Sequence, residues 1–297
     1  SRIKSDLFAK HPSFLSNPLL ATMMLLTYDQ FAEIPEKAYI FYEQAFDTLF
    51  LKHDATKEGF TRQKYTDLSI DEFKKYLSYF CLFSYYDEKY EFTEAETIEY
   101  IGKAIQATNT KLNKSDFYRD LIESVCIMQQ DGLKTVFTHR TFQEFFCTYS
   151  LANFVDNKIE HILSHIVRRR SDNVIPMLFE MRRGKVEREF IIPKLTEIVK
   201  LGQEQNCGES LFTHAKLFNW YLGVRRPAKS AYSFVQYDEQ GNGDIVNLLF
   251  KLYKDIGSPI KKNFPKYKKD DANILKELAA QKRLKLKIDE ITIVFPD

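Results

Sequence analysis

The chain has 297 residues, enough to bury a sizeable core and to divide into more than one domain. Lys plus Arg number 43 against 41 Asp plus Glu, and the net charge of +2 gives no global reason to expect nucleic acid or an anionic membrane as partner. With 25 Phe and 17 Tyr against 10 Gly and 9 Pro, the composition favours long helices joined through aromatic faces over a turn-dense β fold.

Residues 18–26 are the longest apolar run, too short to span a bilayer, and no secretory leader opens the sequence; a cytoplasmic protein without a membrane partner is expected. Within that run Asn17 is placed to cap a helix that Pro18 begins, where the missing proline N–H costs nothing. Leu19, Leu20, Met23, Met24 and Leu26 make this helix apolar almost all round, which predicts burial. After Ile34-Pro35 a second helix carries Ala38, Phe41, Tyr42, Ala45, Phe46, Leu49 and Phe50 on one face and ends near His53-Asp54, completing an antiparallel pair.

A polar stretch at 55–66 reads as a linker. Beyond it, Ser69 with Glu72 and Thr93 with Glu96 are capping boxes for helices reaching Tyr86 and Thr108. Ser115 or Asp116 is expected to cap a third, carrying Phe117, Leu121 and Ile122. Two short runs, 125–130 and 133–138, flank Asp131-Gly132, a dipeptide suited to a two-residue hairpin turn with positive φ at both positions. Three capped helices followed by such a hairpin is the order of a winged-helix domain.

His139 stands where the hairpin meets the next helix, whose apolar positions are Phe142, Phe145, Phe146, Tyr149, Ala152 and Val155; Thr141 with Glu144 fits a capping box there. The first N–H groups of a helix lack internal partners, so an imidazole at this point can add a donor towards a phosphate. The same position also suits a histidine that only completes local hydrogen bonds.

From residue 156 the pattern is a run of helices, at 159–168, 174–181, 186–201 and 211–222, the last with the sole tryptophan, Trp220. Pro176 suits a first turn, whereas Pro193 lies inside its pattern and should kink or split the element. Beyond 231 an acidic, glycine-bearing loop at 238–244 lacks the distal glutamate of a calcium loop, because the twelfth position is Leu249. A basic loop at 261–269 follows, and 283–288 with 291–295 alternates like a terminal hairpin. The expected fold is mainly α: a helical bundle at 1–58, a winged-helix domain at 59–155, a further helical domain at 156–230 and a small α+β tail at 231–297.

Catalytic constellations are absent from the sequence. Cys81, Cys126, Cys147 and Cys207 are widely spaced, lie in apolar runs, and read as small core residues of a reducing compartment. His161 and His165 share a helical face, but Ile162 follows the first and no third ligand has an obvious place, so a zinc-protease reading fails. No G-x-x-x-x-G-K-[ST] loop or matching acidic strand occurs, so this chain alone is not expected to hydrolyse a nucleotide. The candidate groove-reading helix holds Arg119 among Asp116, Asp120 and Glu123, which would repel phosphates and disfavours nucleic acid. The arginine clusters 168–170, 182–183 and 225–226 complement helix C-termini or offer a surface to an acidic partner or nucleic acid.

Phe137-x-His139-x-x-Phe142-Gln143-Glu144-Phe145-Phe146 resembles the winged-helix signature of NACHT-type signalling NTPases, usually F-x-H-x-x-F-Q-E-Y-F-A-A. The chain departs from that form at Phe145 and Cys147, keeping an apolar face. Asn17-Pro18-Leu19-Leu20-x-x-Met23-Met24, then Ile34-Pro35 and Tyr42-Glu43, resembles the helical domain that follows the NACHT core. Together these cover residues 10–155, about half of the chain. The resemblance implies that His139 contacts the β-phosphate of ADP and that Pro18 packs on the adenine. It also implies ADP/ATP with Mg held by a separate N-terminal nucleotide-binding core, self-oligomerisation on activation, and a sensed ligand that the sequence does not identify. Defence against phage or innate immunity is the setting it suggests. Two readings of other classes stand beside it: a winged-helix nucleic-acid-binding protein, and a helical protein-interaction scaffold built on residues 156–230.

Overall fold

Two serine/threonine–glutamate boxes fix the register of the central region. In the computed structural model Ser69 caps α3 (Ile70–Tyr86) and Thr93 caps α4 (Glu94–Thr108), each side chain accepting from the amide three residues on while that glutamate returns to the cap amide. The structure describes residues 18–31, 35, 37–52, 64–156, 159–169, 172–204, 220–225, 233–238, 242–253 and 291–293. The chain divides into two compact units, Ser1–Ile166 with Ser171–Arg183, and Val167–Arg170 with Gly184–Asp297.

The first unit begins with α1 (Pro18–Phe31) and α2 (Ala38–Lys52), which pack on each other. Pro18 takes the first helical position as expected, and Asn17 lies outside the described residues. α1 is less enclosed than its sequence suggests: Leu20, Met23 and Met24 are buried, but Leu25 and Tyr28 are exposed. After α3 come β1 (Glu91–Phe92), α4, a short α5 (Lys114–Arg119) and a π-helical turn (Asp120–Ser124). Asn113, not Ser115 or Asp116, caps α5, its side chain accepting from the Ser115 amide.

The hairpin β2 (Met128–Asp131) and β3 (Lys134–Phe137) pairs Asp131 with Lys134, so its loop is Gly132-Leu133, one residue later than the sequence suggested. Positive φ occurs at Gly132 but not Leu133, the pattern of a type II′ turn, in which glycine is needed only at the first position. β1 adds to the far edge of β3, giving an antiparallel sheet in the order β1-β3-β2. α6 (Arg140–Asn153), α7 (Ile159–Ile166) and α8 (Val174–Val186) follow, and α8 is broken at Arg182 by non-helical φ −142° and ψ 53°.

Rings fill the first unit. Phe41, Phe46, Phe73, Phe80, Phe92, Phe117, Phe142, Phe145 and Phe146 are each almost wholly buried. α6 lies along α3, and α2 joins it through Phe46 and Phe146, whose centroids are 4.9 Å apart and nearly perpendicular. Burying each such ring contributes about 1.5–3 kcal/mol, so this aromatic seam holds α2 to the bundle. Buried Lys74 of α3 adds two ion pairs across it, 2.6 Å from Asp47 and 3.5 Å from Glu43. Cys81 and Cys147 are buried as expected; Cys126 is only part-buried, in the left-handed region at φ 54°, and Cys207 lies outside the described residues.

The second unit contains a π-helical turn (Glu187–Ile191) running into α9 (Ile192–Glu204), so Pro193 sits in the first turn of a new helix, splitting the predicted element where its missing N–H requires. Trp220, Tyr221 and Leu222 are not helical but open β4 (Trp220–Arg225), which pairs with β5 (Ser233–Asp238). A short apolar run with a tryptophan and a tyrosine fits strand as well as helix, and cross-strand pairing decides it. β6 (Ile291–Ile293) pairs with β4 rather than with 283–288, which lies outside the described residues. α10 (Asn242–Leu252) precedes Tyr253, whose hydroxyl donates to Glu187 at 2.6 Å. The chain is thus mainly helical with a small three-stranded sheet in its first unit. Among the described residues no helix is long and apolar enough to cross a membrane.

Candidate functional site

The end of β3 is pinned by Thr138, whose amide and hydroxyl both donate to the Ile127 carbonyl at 3.0 Å. That anchoring leaves His139 extended, at φ −148° and ψ 131°, as the N-cap of α6. Its Nδ1 accepts from the Thr141 amide at 3.3 Å and lies 2.6 Å from the Thr141 hydroxyl. The cap is therefore the imidazole itself, and the expected Thr141–Glu144 box does not form. Glu144 turns instead into the protein, where it is 3 % exposed and accepts from Asn173 Nδ2 at 3.0 Å.

This changes what the helix end can offer an anion. The Thr141 amide is consumed by the ring and the Phe142 amide by the His139 carbonyl at 3.0 Å, so these two N–H groups are already paired. What remains is the ring's other nitrogen. Because Nδ1 accepts a backbone N–H, the neutral ring carries its proton on Nε2, and among the described residues no hydrogen bond engages that atom. Burial pushes the His139 pKa below its ordinary value, so at neutral pH it is an uncharged N–H donor.

His139 opens onto a cleft of ≈ 330 Å³ in the first unit. Leu20 of α1, Ala38 and Tyr42 of α2, and Pro176 and Met177 of α8 supply apolar wall; Thr141, Glu144, Asn173 and Glu180 supply polar groups. Tyr42 is buried, and that burial, opposed by a hydrogen bond with Thr141 and reinforced by Glu144, pushes its pKa up to about 12. The α8 wall is held by Asp172, which accepts from the Val174 amide at 2.6 Å and from the Tyr85 hydroxyl. Gln143 points the other way and ties α6 to the end of α3, donating to Ser84 at 2.9 Å and to the Lys89 carbonyl at 2.8 Å.

Pro18 does not line the cleft. It is exposed at the start of α1, two residues before Leu20, which does. The cleft residues Asn173 and Glu180 were not singled out from the sequence, since they lie just before and within a helix distant in the chain; Tyr42 was read as one more ring of an apolar face and as part of the Tyr42-Glu43 pair of the resemblance. Arg119 is engaged, stacked 3.6 Å from the Tyr65 ring and 3.7 Å from Glu123, and Asp120 beside it is fully buried. Arg182 donates to Asn153 at 3.1 Å and Arg183 lies over Phe179. His161 and His165 are exposed against Tyr86. No group of three or more His, Cys, Asp or Glu suited to a metal ion occurs among the described residues. No protein-family model, curated protein or solved structure matches this chain.

Proposed function

We propose that this chain is the regulatory part of a NACHT-type signal-transducing NTPase, in which Nε2 of His139 contacts the β-phosphate of ADP and so holds a closed, resting state. The observation that carries the reading is the His139 cap, which spends one ring nitrogen on the helix and leaves the other as the N–H donor of a ring that lines a cleft. The order α3, β1, α4, α5, hairpin, with β1 beside β3, supports a winged-helix assignment for residues 59–155. The apolar wall beside His139, built from the α1–α2 pair, is where a nucleotide held by a separate core would meet this chain; Pro18, at the start of α1, would reach the adenine from outside it. ADP and ATP with Mg are the cofactors of that assembly, oligomerisation on opening is its output, and antiphage or innate immune defence is its setting. Catalysis of hydrolysis belongs to the core. The engaged state of Arg119 and the burial of Asp120 weigh against the nucleic-acid alternative.

A hydrogen bond from a neutral N–H to a charged phosphate contributes about 1.5–3 kcal/mol, roughly ten- to a hundredfold in a closed-to-open equilibrium. The test is ADP dissociation from the chain joined to its nucleotide-binding core, wild type beside His139→Ala. Dissociation about ten- to a hundredfold faster in the variant is the expected result. Equal rates would overturn the phosphate contact.

A further inference from the structure

A single residue interrupts a run of backbone that is otherwise helical from Val174 to Glu204. α8, the π-helical turn and α9 follow one another with no residue between them, yet Arg182 stands outside the helical region at φ −142° and ψ 53°. A positive ψ there turns the Arg182 carbonyl away from the helix axis and interrupts the hydrogen-bond ladder. Sharp breaks have a short list of causes: proline, glycine or serine, a π-bulge, or a group that enters the ladder from the side. No proline lies between Pro176 and Pro193. The nearest glycine, Gly184, does not take a left-handed φ, and a Cβ on it would meet Arg188 Nη1 at an ordinary 3.6 Å. Arginine itself is a good helix former, so the local sequence does not demand the break.

What singles Arg182 out is where its side chain goes. Its Nη2 donates to Asn153 Oδ1 at 3.1 Å. Asn153 is the last residue of α6, and its own Nδ2 donates one turn back to the Tyr149 carbonyl at 3.0 Å, which leaves Oδ1 as the acceptor. The guanidinium at this point also meets the negative end of the α6 dipole.

We propose that the Arg182–Asn153 pair is a latch that holds α8 in its broken form, and that a helix continuous through Arg182 is the second state of this segment. The broken form has the bond between two helices; the continuous form has the ladder instead. Arg182 and Asn153 are both exposed, so the bond shifts the balance only about three- to tenfold, which keeps the two forms close enough to exchange. Asn173, Pro176, Met177 and Glu180 of the cleft all precede the break, and Asp172 anchors that end through the Val174 amide and the Tyr85 hydroxyl. The latch therefore decides how α8 continues beyond Arg182 while the cleft wall stays seated. It does not depend on what the cleft holds.

Carbon-13 shifts of Cα and carbonyl at Arg182 and Arg183, recorded on the full chain, read the backbone at the break directly. In wild type Arg182 is expected outside the helical range. Asn153→Ala removes the acceptor from another helix and leaves the sequence of α8 untouched; it should move Arg182 towards helical values, the helical population rising about three- to tenfold. Arg182→Ala should move position 182 in the same direction. Asn153→Asp keeps an oxygen acceptor and adds a charge, and should hold the break at least as firmly as wild type. A helical Arg182 in wild type would overturn the proposal. So would shifts that ignore Asn153→Ala, even where Arg182→Ala moves them, because the break would then belong to α8 alone. A loss of stability in Asn153→Ala without movement of these shifts would reduce the pair to a structural contact, and Asn153→Asp behaving like Asn153→Ala would remove the hydrogen bond as the cause.

Discussion

Asp120 and His139 are both polar side chains set among rings in the same unit, and they differ in how far they are satisfied. Asp120 is fully buried; Oδ1 accepts from the Tyr65 amide at 2.8 Å and Ser124 Oγ at 2.7 Å, and Oδ2 from the Thr66 amide at 2.9 Å and Thr66 Oγ1 at 2.5 Å. Four donors use all that a carboxylate has to give, so nothing is left for a ligand. His139 is half-engaged, with Nδ1 doubly occupied while the residue lines a cleft. A saturated polar group is a lock on the fold, whereas one with a spare, positioned donor can do something further.

The contrast breaks most visibly in stability. Asp120→Ala strands the buried Thr66 donors and the Tyr65 amide together, and should cost about 3–5 kcal/mol in denaturant unfolding. His139→Ala removes one helix cap and should cost only about 1 kcal/mol. Equal losses for the two variants would mean that His139 is as structural as Asp120, and the distinction between lock and available group would fail.

Why one of these was legible in the sequence and the other was not follows from the range of their contacts. Ser69–Glu72 and Thr93–Glu96 close within four residues, so composition at fixed spacing was sufficient. The Asp120 lock reaches back 54 and 55 residues, to Thr66 and Tyr65 at the edge of a stretch that reads as linker, and local pattern carries no trace of it. His139 was placed at the right junction because a hairpin and a helix pattern meet there. Its cap was assigned to Thr141 because Glu144 has the right spacing; the structure sends Glu144 to Asn173, a tertiary contact that outbids the local one. The π-helical turn after Arg119 has no sequence signature of its own, and the Trp220 run is short enough for either period until a partner strand fixes it.

A smaller effect sharpens the comparison through pH. The folded pKa of His139 lies below its ordinary value near 6.5, with burial as the cause. The unfolded chain therefore binds more protons than the folded one as pH falls through 6.5, and stability is lost across the interval down to the folded pKa. Below that value both states are protonated and the loss is complete. Unfolding free energies of wild type and His139→Gln should thus converge or cross between pH 7 and 5, with the variant lacking this component. A pH-independent difference between the two would mean that the ring is as solvated folded as unfolded, and the cleft would be open water.

The smallest effect concerns the two helix caps that resemble each other most. Glu72 and Glu96 both return a carboxylate to a cap residue, and both are lowered by it, but only Glu96 reaches about 2, because Lys89 donates to it at 2.6 Å in addition to the Thr93 groups. Its contribution is fully present above the ordinary glutamate range and is lost as pH falls through about 2. Lys89→Met removes that donor while leaving the Lys89 carbonyl to Gln143. Carbonyl carbon-13 titration should then show Glu96 rising towards the behaviour of Glu72, with little change in unfolding midpoint at neutral pH, since an exposed pair of this kind is screened by solvent. If Glu96 stays where it is, the Thr93 cap alone sets it, and the two boxes differ in geometry rather than in their neighbours. Either result measures how strongly a capping residue responds to a single side chain beside it.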